Sequence, residues 1–117
     1  MVIEFEQRGH VAVLTMNRPE ARNAINEAFA LEMEAAIDRI EADPDIWITV
    51  LTGAGSVFCA GADLKVVADG NVARIFTKRG GGGGIIKRER SKPLIAAVNG
   101  AAVAGGCEIV LACDLIV

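Results

Sequence analysis

The residue that most calls for a chemical explanation is Glu108, a carboxylate inside a run of glycine and small apolar residues. From Gly100 to Asp114 the chain reads GAAVAGGCEIVLACD. Runs this apolar usually pack inside a protein, where an unpaired ionised carboxylate costs several kcal/mol. Two interpretations of Glu108 are open: a paired structural charge, or a group that transfers a proton during a reaction.

Two glycines precede this glutamate at the predicted start of a helix. The first N–H groups of a helix have no partner within it and lie at the positive end of its dipole. Gly105 and Gly106 allow another molecule to approach this backbone, although tight packing is the alternative explanation. A developing oxyanion, such as the enolate oxygen of an activated acyl group, suits the position. Glu108 follows Gly105 by three residues on the same helix face, about 5–6 Å away, where it could handle a proton on carbon.

An oxyanion site generally needs two N–H donors, and a second loop can supply the other. The segment FCAGAD at 58–63 follows a predicted strand at 46–53, and it offers the N–H of a small residue such as Ala62. Gly105 follows a second predicted strand at 94–98. Because such loops meet at the carboxyl edge of a sheet, we expect the two amides to lie together.

A phosphate-binding loop is disfavoured by the same residues. Gly100 and Gly105 have the spacing of the GxxxxGK[ST] motif, but Gly106 and Cys107 stand where Lys and Ser or Thr are required. The anion that follows, Glu108, would repel a phosphate. A nucleotide-binding α/β module therefore remains only a minor alternative.

The elements of the first half follow from periodicity and capping. Residues 2–7 and 10–16 alternate or run apolar around a glycine turn, which predicts an antiparallel hairpin. Asn26 can cap a helix that begins at Glu27 and ends at 43–45. The helix would bury one stripe, formed by Phe29, Met33, Ile37 and Ile40.

The second half alternates apolar runs with glycine-rich connections. Five consecutive glycines within DGNVARIFTKRGGGGG impose no conformation, so we expect a mobile loop at about 69–84. The order of strands and helices predicts an α/β domain with right-handed crossovers. Its predicted elements are a strand at 46–53, short helices at 64–68 and 85–91, a strand at 94–98, a helix at 104–113 and a strand at 114–117.

Composition limits the class of protein. A chain of 117 residues with 52% hydrophobic and 23% charged residues predicts one globular domain. The net charge of −3 and the absence of Tyr disfavour a nucleic-acid binder. No apolar stretch approaches the ~20 residues that span a bilayer, and the acidic first ten residues do not resemble a signal peptide, so we expect a cytoplasmic protein.

Metal and thiol chemistry have little support in the sequence. The three cysteines, Cys59, Cys107 and Cys113, show no CxxC spacing, so we expect buried reduced thiols and no metal site. The single histidine, His10, lies beside a predicted turn and is expected on the surface. A Ser-His-Asp or Cys-His mechanism would depend on it and is disfavoured.

Three segments closely resemble the enoyl-CoA hydratase/isomerase, or crotonase, superfamily. They are MNRPEARNAI at 16–25, VFCAGADL at 57–64 and KPLIAAVNGAAVAGGCEIVLACDLIV at 92–117. They occur in the family's order across essentially the whole chain. The resemblance implies an α/β spiral of ββα repeats, trimers or dimers of trimers, and action on acyl thioesters of coenzyme A.

The resemblance also implies roles for individual residues. The backbone N–H groups of Ala62 and Gly105 resemble the pair that binds the thioester oxygen, and Glu108 resembles the first of two catalytic carboxylates. The second carboxylate would lie beyond Val117. On this basis we expect residues 1–117 to be the N-terminal part of a crotonase-like domain, truncated before its C-terminal part.

Four further residues match the family's substrate-binding segments. Asp63, Leu64 and Lys65 continue from Ala62 along the segment that lines the coenzyme A site, with Lys65 a candidate for phosphate contact. Arg22 is a candidate near the pyrophosphate. Coenzyme A enters as part of the substrate, and no separate cofactor is implied.

The implied activity is enoyl-CoA hydration, the addition of water across the 2,3 double bond. Carnitinyl-CoA dehydratase-like and enoyl-CoA isomerase activities remain open. So does a non-catalytic fragment that binds a partner protein through an apolar surface. The five glycines depart from the family's usual lid segment.

Overall fold

A computed structural model describes all 117 residues. Its frame is a five-stranded sheet, and the helices are connected to it by short loops. Two turns of 3-10 helix, Pro19–Ala21 and Val72–Ile75, lie in the connections. The other elements, in chain order, are β1 (Ile3–Arg8), β2 (Val11–Met16), α1 (Glu27–Ala42), β3 (Ile48–Gly53), β4 (Val57–Cys59), α2 (Leu64–Ala68), β5 (Phe76–Thr77), β6 (Gly81–Gly82), β7 (Leu94–Ala96), β8 (Ala101–Ala102), α3 (Gly105–Ala112) and β9 (Leu115–Ile116).

The predicted hairpin and first helix are both confirmed. Strands β1 and β2 pair antiparallel around Gly9, whose φ of +61° suits a tight turn. The Asn26 side chain accepts a hydrogen bond from Phe29 N at 2.9 Å and so caps α1. All four residues of the predicted stripe are buried against the sheet, namely Phe29, Met33, Ile37 and Ile40.

The main sheet has the order β1-β2-β3-β7-β9 and is parallel from β2 onward. A second, two-stranded parallel sheet pairs β4 with β8. The units β3-β4-α2 and β7-β8-α3 therefore repeat one ββα pattern, with one strand of each unit in each sheet. This arrangement confirms the predicted spiral of ββα repeats.

Strands β4 and β8 were absent from the sequence prediction, as were β5 and β6 within the expected loop at 69–84. Strands β4 and β8 contain only three and two residues. Segments of that length show no periodicity, and their strand geometry comes from mutual pairing between Val57 and Ala101 and between Cys59 and Ala102.

The predicted helix at 85–91 is wrong. The amides of Ile85 and Ile86 both donate to Gly82 O, and the helical series stops after one turn. The side chains that follow are held elsewhere, since Arg88 pairs with Asp38 and Arg90 with Asp114. These long-range ion pairs replace local helix formation.

The segment 69–84 contains the 3-10 turn at 72–75 and the small antiparallel pair β5–β6. Its expected mobility stays a prediction. Among the cysteines, Cys59 is buried and Cys113 partly so, but Cys107 is exposed on the outer face of α3, so burial was wrong there. His10 is exposed, as expected, and stacks on the Trp47 ring. None of the helices is both long and apolar enough to cross a membrane.

Candidate active site

The loop after β4 and the first residue of α3 meet backbone to backbone. Gly61 adopts φ +91°, and a methyl group on it would lie 3.1 Å from Gly105 N. A methyl group on Gly105 would lie 3.8 Å from Ala62 N. The predicted meeting of the Ala62 and Gly105 amides is therefore confirmed, while their role in binding an oxyanion stays a prediction.

Both amides lie outside the regular hydrogen-bond pattern. The Ala62 N–H has no acceptor in the chain, although the next amide, Asp63 N, donates to Ile25 O at 2.9 Å. Gly105 is the first residue of α3, and the first helical hydrogen bond runs from Glu108 N to Ala104 O at 3.1 Å. Two neighbouring donors are thus available to a ligand.

The residue before Gly105 has an unusual backbone. Ala104 is the N-cap of α3 at φ +52° and ψ −122°, with no side-chain cap. A non-glycine residue in such a region costs on the order of 1–3 kcal/mol and is found mainly at functional sites. The strain lies directly beside the candidate donor.

Glu108 is exposed on α3 and forms no ion pair or side-chain hydrogen bond in the chain. Its neighbours Ile109 and Val110 are buried. The buried apolar residues of this run therefore form the core face of α3, and the Glu108 carboxylate lies outside that face. Of the two interpretations given above, a paired structural charge within this chain is ruled out.

A cleft of about 550 Å³ contains Ala62, Gly105 and Glu108 in its lining. Apolar side chains and glycines from the segment 72–87 form much of the rest. The sequence predicted only a mobile loop here, in place of the family's usual lid segment, because nothing local in a glycine-rich stretch indicates which surface it covers. Its members are Val72, Ile75, Phe76, Gly81, Gly82, Gly83, Ile86 and Lys87, with Ile25 and Ala104 completing the lining.

A second cleft of about 560 Å³ lies on the other side of Ala62, which lines both. Three predicted substrate-binding residues line it together: Arg22, Asp63 and Leu64. Lys65 lies one residue further along α2, exposed and outside both linings. The structure therefore divides the predicted residues between two adjoining clefts.

Comparison with known proteins agrees with this geometry. Residues 6–117 match the family model described as enoyl-CoA hydratase/isomerase. The chain belongs to this family.

Individual relatives cover nearly all of the chain. It is 47% identical over 116 residues to enoyl-CoA hydratase EchA19 of Mycobacterium tuberculosis, covering 94% of the chain and 43% of that protein. A probable enoyl-CoA hydratase/isomerase from Mycobacterium abscessus superposes with a TM-score of 0.91 at 44% identity, and the match covers 99% of this chain and 44% of that protein. A carnitinyl-CoA hydratase from Mycobacterium avium superposes with a TM-score of 0.88 at 41% identity, and the match covers 98% of this chain and 45% of that protein. The chain thus spans less than half the length of these family members.

In this member of the family, Asp63 has a clear structural task. Its carboxylate accepts from Lys65 N at 2.9 Å, which caps α2, and pairs with Arg18 at 3.1 Å. The Lys65 amide and then the Arg18 side chain hold the pKa of Asp63 below its ordinary value. Arg18 also donates to Ala24 O, so it ties the two sides of the second cleft together. Sequence reasoning missed Arg18.

Asn23 was also missed, and it fixes the early loop against the site. It is fully buried at φ +56°, a conformation that Asn tolerates better than most residues. Its side-chain amide donates to Val57 O at 2.8 Å and Ala54 O at 3.0 Å, while its oxygen accepts from Arg18 N at 2.8 Å. The only sequence signal was an Asn within an irregular polar segment.

Proposed function

We propose that the chain forms the thioester-binding part of an enoyl-CoA hydratase site and carries one of its proton-transferring groups. The observation that supports this most directly is the pair of neighbouring amides, Ala62 and Gly105, in the same cleft as the unpaired carboxylate of Glu108. Oxyanion donors next to an acid–base group are what the addition of water to an unsaturated thioester requires.

The reaction can be followed through these groups. Water attacks C3 of the 2,3-enoyl thioester, and the electrons of the double bond move through C2 onto the thioester oxygen. The N–H groups of Ala62 and Gly105 stabilise the resulting enolate oxygen. A water proton is lost to a carboxylate, and C2 gains a proton, which restores the thioester. Glu108 exchanges one of these protons, as a base when ionised or as an acid when protonated.

The two clefts suggest how the substrate lies. We place the acyl group in the apolar cleft with Glu108, the thioester at Ala62, and the coenzyme A portion in the second cleft. Arg22 and Lys65 supply positive charge near the second cleft for the phosphates of coenzyme A. No cofactor beyond the coenzyme A of the substrate is needed for this chemistry.

The test is an assay of crotonyl-CoA hydration with the longest natural form of the protein. Hydration is measured as the decrease in absorbance of the conjugated thioester. Saturable turnover is expected. Absence of both turnover and acyl-CoA binding would overturn the proposal and favour the hypothesis of a non-catalytic fragment that binds a partner protein.

The second candidate activity is dehydration of carnitinyl-CoA, which the similarity to the M. avium carnitinyl-CoA hydratase favours. Carnitinyl-CoA and a 3-enoyl-CoA, offered in parallel with crotonyl-CoA, distinguish dehydratase, isomerase and hydratase by their relative kcat/KM. Assembly as a trimer or hexamer and residence in the cytoplasm stay predictions. Sedimentation velocity and cell fractionation test them.

A further inference from the structure

Two carboxylates of α1 bind the glycine-rich segment that lines the apolar cleft with Glu108, although neither carboxylate lines that cleft. We call residues 79–88 the glycine wall, because Gly81, Gly82 and Gly83 within it line the cleft. The carboxylates are Glu34 and Asp38, one helical turn apart on α1.

Glu34 holds the beginning of the glycine wall. It is 8% exposed, and one carboxylate oxygen accepts from Arg79 N at 2.8 Å and from Gly80 N at 3.2 Å. The other oxygen accepts from the Arg79 side chain at 3.0 Å. A buried carboxylate with this many donors fixes the backbone of both residues.

Asp38 joins the two ends of the glycine wall. It pairs with Arg79 at 2.7 Å and also with Arg88, whose side chain is only 10% exposed. Because both ends are bound to Asp38, the glycines between them can move only a limited distance away from α1.

The glycine wall lies on α1 so closely that side chains would not fit. A methyl group on Gly84 would lie 2.2 Å from Ala30 O. Gly83 faces Ile25 and Phe29, of which Ile25 also lines the cleft. The position of the glycine wall on α1 therefore affects the lining of the cleft through Ile25.

The far side of the wall limits the cleft. A methyl group on Gly82 would lie 3.1 Å from the Ile86 side chain and 3.4 Å from the Phe76 ring, and both side chains line the cleft. A displacement of the wall away from α1 would move these groups and change the space offered to an acyl chain.

We propose that Glu34 and Asp38 are positioning residues that hold the glycine wall on α1 and so set the length of acyl chain that the cleft accepts. The inference rests on the proposed function, since it names the substrate preference of the same site. With the wall held, short enoyl groups are favoured. When it is loosened, the short substrate loses its close fit, and the long one gains space.

The test compares Arg79→Met and Glu34→Gln with Lys78→Met in the longest natural form of the protein. Arg79 is 56% exposed in its side chain, and its replacement removes its ion pairs with Glu34 and Asp38 while Glu34 keeps the amide donors of Arg79 and Gly80. Lys78 is the adjacent exposed cation and forms no ion pair, which makes it the matched control. Two quantities are measured: amide hydrogen exchange at 80–84, and kcat/KM for crotonyl-CoA and 2-decenoyl-CoA.

Both test variants are expected to exchange these amides about tenfold faster and to shift the ratio of kcat/KM about tenfold toward 2-decenoyl-CoA. Lys78→Met should change neither. Unchanged exchange in both variants would overturn the proposal that Glu34 and Asp38 hold the glycine wall, and faster exchange with an unchanged substrate ratio would overturn their role in chain length. A wild-type protein that neither turns over nor binds either thioester would overturn the proposed function and this substrate preference together. Hydrogen exchange would still test separately whether Glu34 and Asp38 hold the glycine wall.

Discussion

Gly61, in the loop after β4, and Gly105, the first residue of α3, are 44 positions apart in the sequence, yet a methyl group on Gly105 would lie 3.4 Å from the Cα of Gly61. This contact brings the Ala62 amide next to the Gly105 amide. It depends on glycine at 61, because a side chain there would lie 3.1 Å from Gly105 N, where a ligand must approach. The two N–H donors can therefore lie this close together only because residues 61 and 105 are both glycine.

Gly105→Ala is expected to fold and to lose activity. The added methyl group would meet Ile25 at 3.3 Å, at the end of a flexible side chain that can shift, and would stand beside the two amides. We expect kcat/KM for crotonyl-CoA to fall about 10²-fold, comparable with the loss of one oxyanion donor. An unreduced rate would argue against this pair as the oxyanion site.

Gly106→Ala is the contrasting change one residue away. Its methyl group would lie 2.0 Å from Cys59 O, a backbone atom that cannot move without displacing β4. We expect a clear fall in the urea midpoint of unfolding, together with reduced soluble yield. If Gly106→Ala were as stable as Gly105→Ala, the close packing of α3 on β4 would be contradicted.

Glu108→Gln tests the acid–base role. We expect kcat for hydration to fall about 10²–10⁴-fold, since the amide can neither accept nor donate the required proton. The urea midpoint should stay the same, because Glu108 is exposed and has no partner to lose. Glu89→Gln, at another exposed glutamate without an ion pair, is the matched control and should retain full activity.

Ala104→Gly should make the protein more stable. Glycine adopts positive φ without the Cβ penalty, so removal of this strain is expected to raise the free energy of unfolding by about 1 kcal/mol. Ala101→Gly, in strand β8 without positive φ, should instead lower it by roughly 0.5–1 kcal/mol. Equal effects at the two positions would show that Ala104 is not strained.

Local signals predicted the parts of the fold that depend on neighbours in the sequence. The cap at Asn26 and the stripe behind it were found because both follow helix geometry. The meeting of Ala62 with Gly105 was also predicted, since the predicted strands that precede them became β3 and β7, which are parallel in one sheet.

Other features could not be found in this way, because they are defined by long-range contacts. Strands β4 and β8 exist only as a pair. The buried side chain of Asn23 bonds with carbonyl groups more than 30 residues away, and Glu34 bonds with amides 45 and 46 residues away. A sequence shows that these residues are polar, but their partners are determined only when the chain has folded.

The dependence of stability on pH should show the contribution of ionised Glu34 to the free energy of unfolding. The Thr77 hydroxyl, the Arg79 amide and the Arg79 charge hold the pKa of Glu34 below its ordinary value of 4.5, against the opposing effect of burial. The unfolded state therefore binds the proton more tightly. The stabilisation is fully present above the ordinary value and is lost as pH falls from there through the pKa of the folded state.

Urea unfolding measured from about pH 7 down to about pH 3 checks this expectation. The wild-type midpoint should fall over the acidic part of the range, and Glu34→Gln should fall less, because its amide does not titrate. At neutral pH the variant should be less stable by about 1–3 kcal/mol, since one oxygen acceptor must serve donors that two oxygens now share. Parallel curves for the two proteins would mean that Thr77, Arg79 and Gly80 do not hold Glu34 ionised, and that these contacts contribute nothing to the dependence of stability on acid pH.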